Sequence, residues 1–106
     1  MNDLADQIQM KTIGDVAYIS INLRRLDTDS SQVIKNALHG KLDYNIKHAM
    51  VELGQVEIID SSGIGILLSL HRRLAKEGSK LTLLNVQPPI RVLLELLRLQ
   101  QIINIV

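Results

Sequence analysis

The chain has 106 residues, 46% hydrophobic and 22% charged, with a formal net charge of +1. That length suits one domain, 1–106, and is too short for two. The apolar fraction excludes a disordered chain, and the near-neutral balance excludes a strong field steering it to nucleic acid or anionic lipid. Cysteine is absent, which removes disulfide and thiol chemistry and fits a cytoplasmic setting.

The start, Met1-Asn2-Asp3-Leu4-Ala5-Asp6, has neither a basic region nor a long apolar stretch, so no signal peptide is expected. The longest apolar runs, such as 64–68, fall far short of the ~20 residues of a membrane span. The aromatic residues are Tyr18 and Tyr44. Leu, Ile and Val must therefore build the core, and stacking on nucleic-acid bases is not expected.

The first strand is predicted at Ile8–Ile13, followed by Gly14-Asp15, a Gly-first pair suited to a two-residue hairpin turn. Residues 16–23 then alternate: Ala17, Ile19, Ile21 and Leu23 face one way, Val16, Tyr18, Ser20 and Asn22 the other. A polar loop, Asp27-Thr28-Asp29-Ser30-Ser31, offers several helix caps. Val33, Ile34, Ala37, Leu38 and Leu42 follow at helical spacing, with Gly40 near the end. A third strand is predicted over 44–53, broken at Gly54-Gln55, and residues 56–59 lead to Asp60.

The next helix is predicted over about 62–77, with Ile64, Leu67, Leu68, His71, Leu74 and Ala75 on one face and Gly78 as its stop. A fourth strand follows at Leu81–Leu84. Pro88-Pro89 opens a helix continuing over 90–99, because a missing N–H costs little in a first turn. Residues 102–106 form a last short strand or an apolar tail. In that last helix Ile90, Leu93, Leu94 and Leu97 suffice for a buried face, which leaves Val92, Leu96 and Leu99 to be covered by the tail or used as a contact surface.

Strands alternating with helices after an opening hairpin imply an α/β fold with parallel strand pairs covered by α-helices. Functional residues of such sheets gather at the carboxyl ends of strands. Asp60 and Ser61 lie at such an end, and so does Leu26-Asp27, so the two segments are expected to be neighbours.

The stretch Ile58-Ile59-Asp60-Ser61-Ser62-Gly63-Ile64-Gly65 concentrates the chemistry. Hydroxyls at a strand-to-helix switch sit where backbone N–H groups point outward and tolerate a phosphate. Asp and Ser are also preferred N-caps, so capping competes with a functional role. Two glycines in a first turn, each costing about 1 kcal/mol in a helix interior, are not a stability-driven choice. They are expected to leave the surface around the hydroxyls bare.

Enzymatic readings find little support. There is no G-x-S-x-G elbow. Gly63-Ile64-Gly65 is not a dinucleotide fingerprint, since Leu68 holds the last glycine position, and no P-loop lysine follows. His39, His48 and His71 lack ligand spacing, so neither metal nor cofactor is expected. His71 falls on an apolar stripe as a core or boundary residue; His39 and His48 are expected at the surface.

From Ile59 to Gly65 the chain resembles the STAS family of sulphate-transporter tails and anti-sigma-factor antagonists, most of all the free-standing antagonists of bacterial partner-switching pathways. The likeness continues through Leu67-Leu68, Leu81-Thr82-Leu83-Leu84 and Pro89-Ile90-Arg91-Val92-Leu93-Leu94 to Ile102-Ile103, with a weaker match at Leu26-Asp27. The resemblance implies a small mixed β-sheet covered by helices. It implies that Ser61 is phosphorylated by a serine kinase of the histidine-kinase-like ATPase fold, often also the anti-sigma factor. A metal-dependent phosphatase would remove the phosphate.

It further implies that Ser62 is the neighbouring hydroxyl and that Asp60 and Asp27 are acids beside the site. The partner would dock on the Asp27 loop and on the helix start Asp60, Ser61, Ser62, Gly63, Ile64 and Gly65. Arg24-Arg25 stand where many members carry Gly and a small or acidic residue; they imply a partner with complementary acids or a contact to the phosphate. The expected protein is thus a cytoplasmic switch, not an enzyme, acting without nucleic acid or membrane. A constitutive scaffold subunit of a transporter or stressosome-like complex is the alternative, and a small hydrolase using Ser61 a further one.

Overall fold

A computed structural model describes residues 7–38, 42 and 45–106. The expectations placed on Met1–Asp6, His39, Gly40 and Tyr44 lie outside the described residues.

Alternating apolar residues make strands β1 (Ile8–Ile13) and β2 (Val16–Ile21), an antiparallel hairpin in which Ile13 pairs with Val16 across Gly14-Asp15. The β2 strand ends at Ile21, earlier than the alternation to Leu23 suggests. The chain leaves the sheet there to form β3 (Arg25–Leu26), a separate short strand. Helix α1 (Thr28–Leu38), β4 (His48–Glu52), β5 (Ile58–Ile59) and α2 (Ser61–Ala75) follow. Then come β6 (Leu81–Leu84), α3 (Pro88–Leu96), a 3-10 turn (Leu99–Gln101) and β7 (Asn104–Ile105).

The main sheet has the order β1-β2-β4-β6-β7, with β2, β4, β6 and β7 mutually parallel. This is the expected α/β fold, a small mixed sheet with parallel strand pairs covered by helices. Each crossover steps one strand further the same way. Right-handed crossovers in one direction place their helices on one face of the sheet. Burial agrees: Ala17, Ile19, Ile21, Ala49, Val51, Leu81 and Leu83 are buried, while the register row Lys11, Tyr18, Met50, Thr82, Asn104 is exposed or half-buried. Ile34 and Leu38 of α1, Leu67, Leu70 and Leu74 of α2, and Ile90 and Leu94 of α3 close the core. Each such side chain contributes about 1.5–3 kcal/mol by burial.

Helix α2 settles differently from its predicted face. Ile66, Leu67, Leu70 and Leu74 are buried, Ile64 and Leu68 are half-buried at the edge of the core, and Ala75 is exposed. The apolar run 64–68 permits either orientation. The line Gly63, Leu67, Leu70, Leu74 is chosen because Gly63 lets the helix approach its support. His71 is a boundary residue whose Nδ1 is buried without a partner, and His48 is exposed at the start of β4. Gly78 stops α2 as expected: at φ +75° it allows Gly78 N–H to reach Ala75 O at 3.0 Å and Ser79 N–H to reach Leu74 O at 3.1 Å.

Helix α3 begins at the two prolines but ends at Leu96, short of the predicted 99. Arg98, at φ +60°, turns the chain into the 3-10 segment. Leu97 is therefore 51% exposed rather than part of the buried face. The tail does form a strand, β7, parallel to β6. It shelters Leu99, 7% exposed, but leaves Val92 at 55% and Leu96 at 76%. Among the described residues no helix is long and apolar enough to cross a membrane.

Candidate functional site

The two short strands outside the main sheet build the site. β3 and β5 pair in parallel, Arg25 with Ile58 and Leu26 with Ile59. The pair is closed by Glu57 N–H to Arg24 O at 2.8 Å and Asp60 N–H to Leu26 O at 3.2 Å. Each strand is followed at once by an aspartate and a helix, so Asp27 and Asp60 emerge side by side. The expected meeting of the two segments is thus met, although on a separate two-stranded sheet and not on the edge of the main one.

Asp60 is the N-cap of α2. Its Oδ1 accepts from Ser62 N–H at 2.8 Å and from Gly63 N–H at 3.1 Å. Those groups are therefore not waiting for an anion, as the sequence suggested; the Asp60 carboxylate already occupies them. A carboxylate at a helix start is favoured by the macrodipole as well. Ser61 is the first helical residue and is exposed, and its hydroxyl has no hydrogen bond among the described residues. Ser62 is half-buried, with its Oγ 3.1 Å from Thr28 Oγ1. That hydroxyl pair ties the start of α1 to the start of α2.

Asp27 caps α1 by the same chemistry. Its Oδ1 accepts from Ser30 N–H at 3.2 Å, and Ser30 Oγ accepts from Asp27 N–H at 2.9 Å. This reciprocal arrangement is a capping box with Ser in place of the usual acid. Ser30 is buried, and its hydroxyl lies 3.0 Å from Arg25 O, which it can reach as donor. Asp27 is therefore a structural residue first. Thr28, Asp29 and Ser31, which the sequence offered as equivalent caps, do not fill the role.

The glycines differ. A Cβ on Gly63 would stand 2.2 Å from Leu26 O and 2.7 Å from Ile59 Cγ1, whereas one on Gly65 would meet nothing within 4 Å. The expectation of bare surface is right for Gly65 and wrong for Gly63, which is buried and lets α2 seat against β3. Gly63 thus belongs to the packing beneath the site. Ile64 is half-buried and packs on the core.

Arg24 pairs with Glu57, both side chains largely exposed, and Arg25 is exposed beside it. The Arg24 guanidinium is thus engaged across β3–β5, where a surface pair contributes little stability. Among the described residues no group of three or more His, Asp or Glu is placed to hold a metal ion. What this site offers chemically is an accessible serine hydroxyl on a rigid two-helix platform. Sequence reasoning named Thr28 and Ser30 only as possible helix caps, and foresaw neither the Thr28–Ser62 hydroxyl pair nor the reciprocal bonds of Ser30 with Asp27.

Comparison with known proteins agrees with this geometry. Residues 7–106 match the family model of the STAS domain. The chain is 24% identical over 100 residues to an anti-sigma F factor antagonist of Paenibacillus polymyxa, a match covering 93% of this chain and 85% of that protein. Among solved structures, a candidate anti-sigma factor antagonist of Thermotoga maritima superposes with a TM-score of 0.83 at 20% identity, over 98% of this chain and 89% of that one. The Bacillus cell fate determinant SpoIIAA in its phosphorylated form gives a TM-score of 0.72 at 19% identity, over 93% and 90% of the two chains. At these identities the structural likenesses establish the fold.

Proposed function

We propose that this chain, which belongs to the STAS domain family, is a phosphorylation-controlled antagonist of an anti-sigma factor. Unphosphorylated, it binds a serine kinase that doubles as the anti-sigma factor and releases that protein's client. Phosphorylation of Ser61 ends the binding, and a metal-dependent phosphatase restores it. The kinase would be of the histidine-kinase-like ATPase fold, and the cycle would run in the cytoplasm, with the chain as a binding protein rather than an enzyme.

One observation carries the reading: Ser61 is exposed at the first position of α2, with its hydroxyl unengaged, while its neighbours Asp60 and Ser62 are held in place. A kinase can reach that oxygen without unfolding anything. The description of the Paenibacillus relative as an anti-sigma F factor antagonist supports the same role.

The cap geometry suggests how the switch works. Phosphate adds about −1.5 to −2 charge at neutral pH. It would arrive next to the Asp60 carboxylate, which already holds the Ser62 and Gly63 N–H groups. The new charge therefore faces outward, toward whatever docks there, and opposes docking by repulsion and desolvation. A loss of about 3 kcal/mol of binding weakens affinity roughly a hundredfold.

The test is to incubate the chain with ATP and the serine kinases of its source cell, then map the phosphate by mass spectrometry. Phosphate on Ser61, with loss of kinase binding afterwards, is the expected result. Phosphate confined to Ser62, Ser69 or Ser79, or none at all, would overturn the assignment and favour a constitutive scaffold.

A further inference from the structure

The pairing of β3 with β5 sends α1 and α2 off in the same direction from adjacent ends, pinned together at Thr28 and Ser62. One to two turns further along, the helices part into an open groove of about 340 Å³ lined by Ile34, Lys35, Leu38, Ile66, Ser69 and Leu70. Its floor is apolar: Leu38, Ile66 and Leu70 are core residues that keep a thin exposed edge, and Ile34 lies fully buried beneath them. Its rim is basic. Lys35 is exposed and has no ion partner among the described residues, and Arg72 is exposed with a single weak contact to Ser69 Oγ at 3.5 Å. Nothing acidic on either helix neutralises this end, since Asp29 lies in the first turn of α1. The groove sits at the small end of the ~300–1,000 Å³ range of small-molecule pockets. Open on its outer side, it cannot enclose such a ligand; it can seat a side chain presented by another surface.

We infer that this groove is the second anchor point for the protein that docks at Ser61. Resting on the proposed function above, the inference names its occupant: a kinase segment carrying an apolar side chain beside a carboxylate. The apolar side chain covers the exposed edges of Leu38, Ile66 and Leu70, and the carboxylate meets Lys35 and Arg72. Apolar anchor and charge are complementary to floor and rim respectively. Gly65 and Ser69, both small, lie on α2 between Ser61 and the rim, so one rigid partner surface can span both points without obstruction. The groove then fixes how the kinase sits relative to Ser61, and it remains available whatever the state of the hydroxyl. Phosphorylation thus has to overcome an anchor that it does not itself touch.

The chain has no cysteine, so Ser69→Cys labelled with a benzophenone maleimide carries one cross-linker, at the groove. The probe is the kinase identified by its phosphorylation of Ser61. Irradiation of the complex is expected to join the label at position 69 to a kinase peptide with Asp or Glu next to Leu, Ile or Met. Lys35→Glu should raise the Kd at least tenfold while lowering the melting temperature by no more than the few degrees that a reversed charge in the last turn of α1 costs, and reversing the charge of the cross-linked kinase acid should restore binding.

Lys11→Glu, on the opposite face of the sheet, should change nothing. Equal affinity of Lys35→Glu, or of a groove-filling Ser69→Trp, would overturn the groove while leaving the Ser61 switch intact. A cross-link to a second copy of this chain would overturn it in favour of self-association. Absence of any kinase acting on Ser61 would instead bring down the functional reading, and the groove's occupant with it.

Discussion

Replacing Gly63 by alanine adds one methyl group at the tightest contact beneath the site. Its carbon would lie 2.2 Å from Leu26 O, 2.7 Å from Ile59 Cγ1 and 3.0 Å from Leu26 C. For Leu26 O, ordinary contact begins more than 1 Å further out. Leu26 O cannot swing away as a side chain could, because it is backbone and accepts from Asp60 N–H. Relief requires the start of α2 to lift off β3–β5, which loosens the Asp60 bond and the Thr28–Ser62 pair together. Overpacking of this kind costs up to about 3 kcal/mol. Alanine regains about 1 kcal/mol of helix propensity over glycine. The net expectation is about 2 kcal/mol of destabilisation, or a fall of roughly 10 °C in melting temperature for a domain of this size.

Gly65→Ala is the internal control. Its Cβ meets nothing within 4 Å, so the propensity gain should appear almost whole, as a rise of a few degrees. Urea and thermal unfolding of the two variants beside the parent decide the matter. Two glycines in one helical turn should move stability in opposite directions. A Gly63→Ala protein as stable as the parent would refute the claim that this glycine exists for packing, and would return it to the contact surface.

The remaining expectations are simpler to state. Asp60→Ala removes the side-chain cap of α2 and Asp27→Ala that of α1; each should cost about 1 kcal/mol, seen as a drop of several degrees in melting temperature. No change on Asp27→Ala would mean that another residue of 28–31 takes over the cap. Ser61→Ala should fold as the parent does and stay bound to the kinase, while Ser61→Asp binds less well, read by titration calorimetry; equal affinities would favour the scaffold. Lys47 bonded to Glu77 at 2.8 Å holds the Glu77 carboxyl below its ordinary value of 4.5. A depressed carboxylate contributes stability above its unfolded value and loses it as pH falls through the folded one. The stability difference between the parent and Glu77→Gln should therefore be constant well above the ordinary carboxyl value and shrink as pH falls through and below it, by chemical denaturation across that range. A difference that grew as the solution was acidified would show the sign to be wrong.

The long elements were legible because their periods repeat: two in β1 and β2, near 3.6 in α1 and α2, with Gly78 and Pro88-Pro89 as punctuation. So was the concentration of chemistry at Asp60-Ser61-Ser62, since acid and hydroxyls at a strand-to-helix switch are visible without coordinates. What the sequence could not reveal depends on neighbours distant along the chain. Strands β3 and β5 are two residues each, too short to carry a period, and exist only because they pair with one another. That pairing selects Asp27 as the cap from a run of equally suitable residues and brings Thr28 against Ser62. It also separates two glycines that look alike in sequence, since Gly63 meets the Leu26 carbonyl and Gly65 meets solvent. The end of α3 follows the same logic. Leucine continues to Leu97 and favours helix, but β7 must pair with β6, and the turn at Arg98 that permits this leaves Leu96 and Leu97 in water. Local propensity acts over a turn or two of chain, whereas the surroundings of Ser61 are set by contacts between residues more than thirty positions apart.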